Sequence, residues 1–115
     1  MSASEIRSLA RALLDLCKMR KLTVATAESC TGGLVCASLV DIPGSSAGVT
    51  YGFITYSNEA KHDLLGVSEQ TLENFGAVSK EAAVSMAAGA LKKAKADLAV
   101  SVTGGAGLVS AVMAA

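Results

Sequence analysis

Thr26-Ala-Glu-Ser-Cys-Thr-Gly-Gly33 is the stretch on which the reading of this chain turns. Ahead of it, Leu22-Thr-Val-Ala-Thr26 is short, β-branched and free of charge, the pattern of a buried strand. Behind it, Leu34 to Val40 is small and apolar, as suits a helix lying on a sheet. A strand that turns sharply into a helix leaves backbone N–H groups free at the helix start, with the positive end of the dipole facing outward. Such a corner suits an anion, or the oxyanion of an acyl-transfer intermediate. Ser29 and Cys30 stand there as two candidate nucleophiles, and Gly32 and Gly33 let a ligand approach the backbone closely. The plainer alternative is a tight turn in which Ser29 or Thr31 only caps the helix.

Composition narrows the function classes. The chain has 115 residues, enough for a single domain, 1–115, and too few for two. Half of it is apolar, and ten basic residues balance ten acidic ones, which points to a globular protein of the cytoplasm. Balanced charge and only four aromatics, Tyr51, Phe53, Tyr56 and Phe75, speak against a nucleic-acid surface. Cys17, Cys30 and Cys36 lack C-x-x-C spacing and read as reduced thiols, with neither a disulfide frame nor a metal site. Met1 to Lys21 carries charges throughout, unlike a signal peptide. Leu98 to Ala115 is uncharged, yet Gly104, Gly105 and Gly107 interrupt it. Two short strands around a glycine turn fit that segment better than a membrane span.

Taken in order, the chain alternates helices and strands. Ser2 and Glu5 form an S-x-x-E capping box, and Leu9, Leu13, Leu14 and Cys17 recur at helical spacing, predicting a helix to about Met19. After the serine corner and its helix, Pro43-Gly44 makes a turn, and Val49 to Tyr56 reads as a second strand. Ser57 caps a short helix ended by Gly66; Ser68 to Asn74 is a further helical piece closed by Gly76. Ser79 begins the clearest helix, to about Lys95, with Val84, Ala87, Ala88 and Leu91 facing inward. Asp97 to Val102 is a third strand and Gly107 to Met113 a fourth. This alternation predicts an α/β fold of three layers, α/β/α, on a mostly parallel or mixed sheet. Ligands of such sheets collect outside the carboxyl ends of the strands, where the loops Thr26–Gly33, Tyr56–Lys61 and Thr103–Gly107 converge.

Serine needs a base to become a useful nucleophile. His62, the only histidine, has no carboxylate partner by spacing. Lys61 serves if burial or cationic neighbours lower its pKa, and Tyr56 stands ready to relay a proton or hold the substrate. Val102-Thr-Gly-Gly-Ala-Gly107 looks like a dinucleotide-binding turn, but too little chain follows it for the helix, strand and acidic residue that such a site requires.

Five motifs together carry a family resemblance: Thr26-Ala-Glu-Ser-Cys-Thr-Gly-Gly33, Asp41-Ile-Pro-Gly-Ser-Ser46, Gly52-Phe-Ile-Thr-Tyr-Ser-Asn-Glu-Ala-Lys61, Leu65-Gly-Val67 and Gly76-Ala-Val-Ser79. From about Leu22 to Gly104 the chain resembles the CinA C-terminal domain family. That resemblance implies a CinA C-terminal-like fold and hydrolysis of the carboxamide of nicotinamide mononucleotide, without metal or organic cofactor. It implies Ser29 as nucleophile, Lys61 as its base and Tyr56 close by. Cys30, Thr31, Gly32, Gly33, Thr103 and Gly104 would bind substrate, with backbone N–H groups near Cys30 to Gly33 holding the oxyanion or the phosphate. Cys30 is a competing nucleophile, stronger than serine once ionised.

After Gly104 the chain departs from the family pattern, which continues with a glycine-rich loop and a further strand–helix portion. The expectation is a chain truncated or lacking a loop there. A domain of this family that binds a nucleotide or a protein partner without turning it over is the alternative reading. The uncharged strands and alanine-rich surface further suggest a homo-oligomer, a dimer first of all.

Overall fold

In the computed structural model, which describes residues 2–105 and 108–115, helix α1 (Ala3–Arg20) leads into strand β1 (Val24–Glu28). Helix α2 (Leu34–Val40), strand β2 (Val49–Ile54), helices α3 (Asn58–Leu65), α4 (Glu69–Phe75) and α5 (Lys80–Ala94), and strands β3 (Leu98–Gly105) and β4 (Leu108–Ala114) follow. The strands lie in the order β2-β1-β3-β4. β1 pairs in parallel with both β2 and β3, whereas β4 runs antiparallel to β3. The sheet is therefore mixed, with a parallel core. Ala106 and Gly107, the end of the Thr-Gly-Gly-Ala-Gly run, lie outside the described residues.

The helix starts follow the expected chemistry. Ser2 accepts from the Glu5 amide and Glu5 accepts from the Ser2 amide, closing the capping box of α1. Ser57, Ser68 and Ser79 each accept from an amide three residues on, at the starts of α3, α4 and α5. Gly66 ends α3 with φ +71°.

β1 is buried along its whole length because it is central and covered on both faces. On one face Val24 packs with Ala10, Leu14 and Cys17 of α1 and with Leu39 and Ile42. On the other, Ala25, Ala27 and Ala99 pack with Phe53, Leu65 and the α5 residues Met86, Ala87 and Ala90. Two apolar clusters on opposite faces of one sheet are the three layers that the alternation of elements predicts.

One face assignment needs correction. α5 turns Ala82, Ala83, Met86, Ala87, Ala90 and Ala94 inward, while Val84 is exposed and Leu91 only half-buried. Ala87 faces inward as expected, but Ala88 is exposed like Val84, so the buried stripe runs through Ala83, Met86, Ala87 and Ala90, mostly small residues that let the helix dock at short range. Along α1 a similar shift occurs: Ala10, Leu14 and Cys17 are buried and Leu9 is 58% exposed. No helix among the described residues is long and apolar enough to cross a membrane.

Candidate active site

Strand alternation sets the site. Glu28, the last residue of β1, points to the α2 face, and Ser29 emerges on the face of α3. Two backbone bonds pin the strand end: the Ser29 amide donates to the Val102 carbonyl of β3 at 2.9 Å, and the Thr55 amide donates to the Glu28 carbonyl at 2.8 Å. Ser29 thus sits where the carboxyl ends of β2, β1 and β3 meet.

Lys61 reaches this point from the first turns of α3. It is 1% exposed, and its Nζ lies 3.0 Å from Ser29 Oγ, 2.9 Å from the Thr55 carbonyl and 3.0 Å from the Tyr56 carbonyl. A tetrahedral nitrogen has room for three such neighbours. The two carbonyls accept only, so each takes an N–H from Lys61. In the neutral amine the remaining position, a lone pair, then faces the Ser29 hydroxyl. Burial lowers the Lys61 pKa below its ordinary value of 10.5, partly countered by the nearby Cys30. With the amine neutral, this arrangement allows a proton to pass from Ser29 Oγ to Lys61 Nζ.

The other candidates occupy different places. Tyr56 presents its carbonyl to the pair, while its side chain is 78% exposed. Cys30 is an exposed thiol next to the buried Ser29. The Thr31 hydroxyl donates to Glu28 Oε1 at 2.6 Å, and the buried Thr103 hydroxyl donates to the Ala77 carbonyl at 2.8 Å. His62 bonds the Val67 carbonyl through Nδ1 and lines a shallow surface groove with Glu59, Asp63, Glu69 and Glu73. It does not reach Ser29 by any hydrogen bond among the described residues. No cluster of metal-ligating side chains occurs among those residues either.

The turn itself runs Ser29 to Gly33, with φ +60° at Gly32 and +110° at Gly33. The positive φ at both positions favours glycine, and at Gly33 a Cβ would also press on Ile54 Cδ1 at 3.2 Å. Its amides are mostly committed. Gly32 donates to the Ser29 carbonyl, Leu34 to the Thr31 carbonyl, and Gly33, Val35 and Cys36 to the Glu28 carboxylate. Those of Cys30 and Thr31 have no acceptor among the described residues. The sequence missed the part played by Glu28, which has only one visible cue: a carboxylate at a strand end, one turn ahead of a helix start.

The profile of the CinA C-terminal domain family matches residues 6–111. The chain belongs to the CinA C-terminal domain family. This CinA C-terminal domain is 53% identical over 107 residues to the nicotinamide-nucleotide amidohydrolase PncC of Escherichia coli strain K12, covering 93% of the chain and 65% of that protein. It is 59% identical over 93 residues to a CinA-like protein of Chloroherpeton thalassium, covering 81% of the chain but 22% of that relative. The chain therefore spans less than two thirds of either relative. Among solved structures, the competence/damage inducible protein CihA of Agrobacterium tumefaciens superposes with a TM-score of 0.91 at 47% identity. That match covers 96% of the chain and 73% of the CihA chain.

Proposed function

We propose that the chain is an amidohydrolase that converts nicotinamide mononucleotide to nicotinate mononucleotide and ammonia, with Ser29 as nucleophile and Lys61 as base. The observation that carries this reading is the 3.0 Å contact between Lys61 Nζ and Ser29 Oγ inside a buried site. The amidohydrolase name of the Escherichia coli relative supports the choice of substrate. Ser29 Oγ gives its proton to Lys61 and attacks the carboxamide carbon. The oxyanion forms beside the amides of Cys30 and Thr31. Lys61 then protonates the departing nitrogen as the C–N bond breaks, releasing ammonia and leaving an ester on Ser29. Water, deprotonated by Lys61, hydrolyses that ester and restores the serine.

Ammonia release from nicotinamide mononucleotide tests the proposal. Wild type and Cys30→Ala are expected to release it at rates within about threefold of each other, and Ser29→Ala to fall to background. Activity that persists in Ser29→Ala and vanishes in Cys30→Ala would transfer the nucleophile to the thiol. Binding of the nucleotide without ammonia release would favour the non-catalytic alternative.

We also propose a homo-oligomer in the cytoplasm. The exposed Leu9 and Met19 of α1, together with Leu34 and Val40 of α2, are apolar surface suited to a second copy. Light scattering should return at least twice the chain mass, and a monomer mass at micromolar concentration contradicts this. The three free thiols support the reducing compartment, and recovery of the protein outside the cytoplasm would exclude it.

A further inference from the structure

Among the described residues Glu28 is the buried carboxylate, and the hydrolytic steps leave it unused. It is 1% exposed and sits at the end of β1, one residue before the nucleophile. Its Oε1 accepts from the Thr31 hydroxyl at 2.6 Å, the Gly33 amide at 3.2 Å and the Val35 amide at 2.9 Å. Its Oε2 accepts from the Cys36 amide at 2.9 Å. All four neighbours are donors, so the group that fits is the ionised carboxylate, placed against the positive end of α2.

We infer that Glu28 is a positioning residue: it seals the start of α2 with the protein's own negative charge and fixes the turn that carries the Cys30 and Thr31 amides. Two consequences follow. A substrate anion finds the α2 start already occupied, so of the two roles open to the turn, oxyanion or phosphate, its unengaged amides serve the oxyanion. Those two amides adjoin the nucleophile in sequence, and their placement depends on a turn held at Thr31 and Gly33 by a single carboxylate. Charge-assisted bonds to a rigid backbone keep donors in place without reorganisation during the reaction, which is what oxyanion stabilisation demands. This inference rests on the acyl-transfer reading of Ser29.

Glu28→Gln is the informative variant. It keeps the shape and the Oε1 contacts, but opposes an NH2 group to the Cys36 amide and removes the charge. Expected is a kcat for ammonia release lowered by about tenfold or more, with KM within about threefold, since the amides act on the transition state. The ¹⁵N–¹H resonances of Cys30 and Thr31 should move in the same variant, while those of α5 stay in place. A kcat per folded molecule within about twofold of wild type, or unmoved Cys30 and Thr31 resonances, would overturn the inference. The resonances report on the turn even where wild type releases no ammonia, so failure of the acyl-transfer reading is told apart from failure of the positioning role.

Discussion

Lys61→Arg is expected to lower the rate of ammonia release by about a thousandfold while the protein stays folded. General-base catalysis contributes roughly 10²- to 10⁴-fold, and arginine cannot give up its proton in this pH range. It keeps a positive charge near the Thr55 and Tyr56 carbonyls but has no lone pair to offer Ser29. Lys61→Met should be equally inactive, with the hydrocarbon stem kept and the two carbonyls left without their donor. The pH dependence has a definite sign. Only the neutral amine accepts the serine proton, so the wild-type rate should rise with pH through a limb that lies below 10.5, the ordinary value from which burial lowers Lys61. Both variants should lose that limb. Stability moves in the same direction: between the folded pKa and 10.5 the unfolded chain binds the extra proton, so the contribution of Lys61 grows as pH rises through that window and is lost as pH falls through the folded pKa. A rate profile unchanged in Lys61→Arg would remove the lysine from the chemistry.

Gly89→Ala should be the most damaging single methyl group in the fold. A Cβ at Gly89 would stand 1.9 Å from the Leu65 carbonyl oxygen and 2.8 Å from its carbon. Those are backbone atoms at the end of α3, so no rotamer change relieves the overlap. Alanine gains about 1 kcal/mol of helix propensity in the middle of α5, and overpacking of a filled contact costs about 1–3 kcal/mol, occasionally more. With so short an approach the second effect wins, and a net loss of about 2 kcal/mol is expected, visible as a melting temperature lower by about 10 °C. Function should suffer as well. Leu65 is one turn beyond Lys61 on α3, so a displaced helix end withdraws the amine from Ser29, and a misplacement of about 1 Å can cost about a hundredfold in rate. Calorimetry and ammonia release on the same preparation check both effects. A stable, fully active Gly89→Ala protein would mean that α5 does not press on α3 as described.

Those two predictions also mark what a linear sequence shows and what it hides. Helix starts at Ser2, Ser57 and Ser79 were legible because a capping hydroxyl acts within three residues. The Gly66 stop was equally local. The serine corner was legible from the change of pattern at Thr26–Gly33. The inward face of α5 was legible only at Ala87: Val84 and Ala88 turn to solvent and Leu91 is half-buried, because this alanine-rich helix gives periodicity little contrast, and it approaches the sheet through Ala83, Ala87 and Ala90 and meets α3 at Gly89. Tyr56 looked important for its ring, yet its carbonyl is the atom that meets Lys61. Glu28 escaped notice because its value comes from reaching four donors up to eight residues ahead, which requires the turn to exist first.

Rapid quenching of wild-type protein with nicotinamide mononucleotide, followed by peptide mass spectrometry, tests the central claim most directly. The account predicts a transient nicotinate mononucleotide ester on the Ser29 oxygen, absent from Ser29→Ala. Hydrolysis that proceeds with the adduct on the Cys30 sulfur, or with no adduct on the protein at any time, would contradict it.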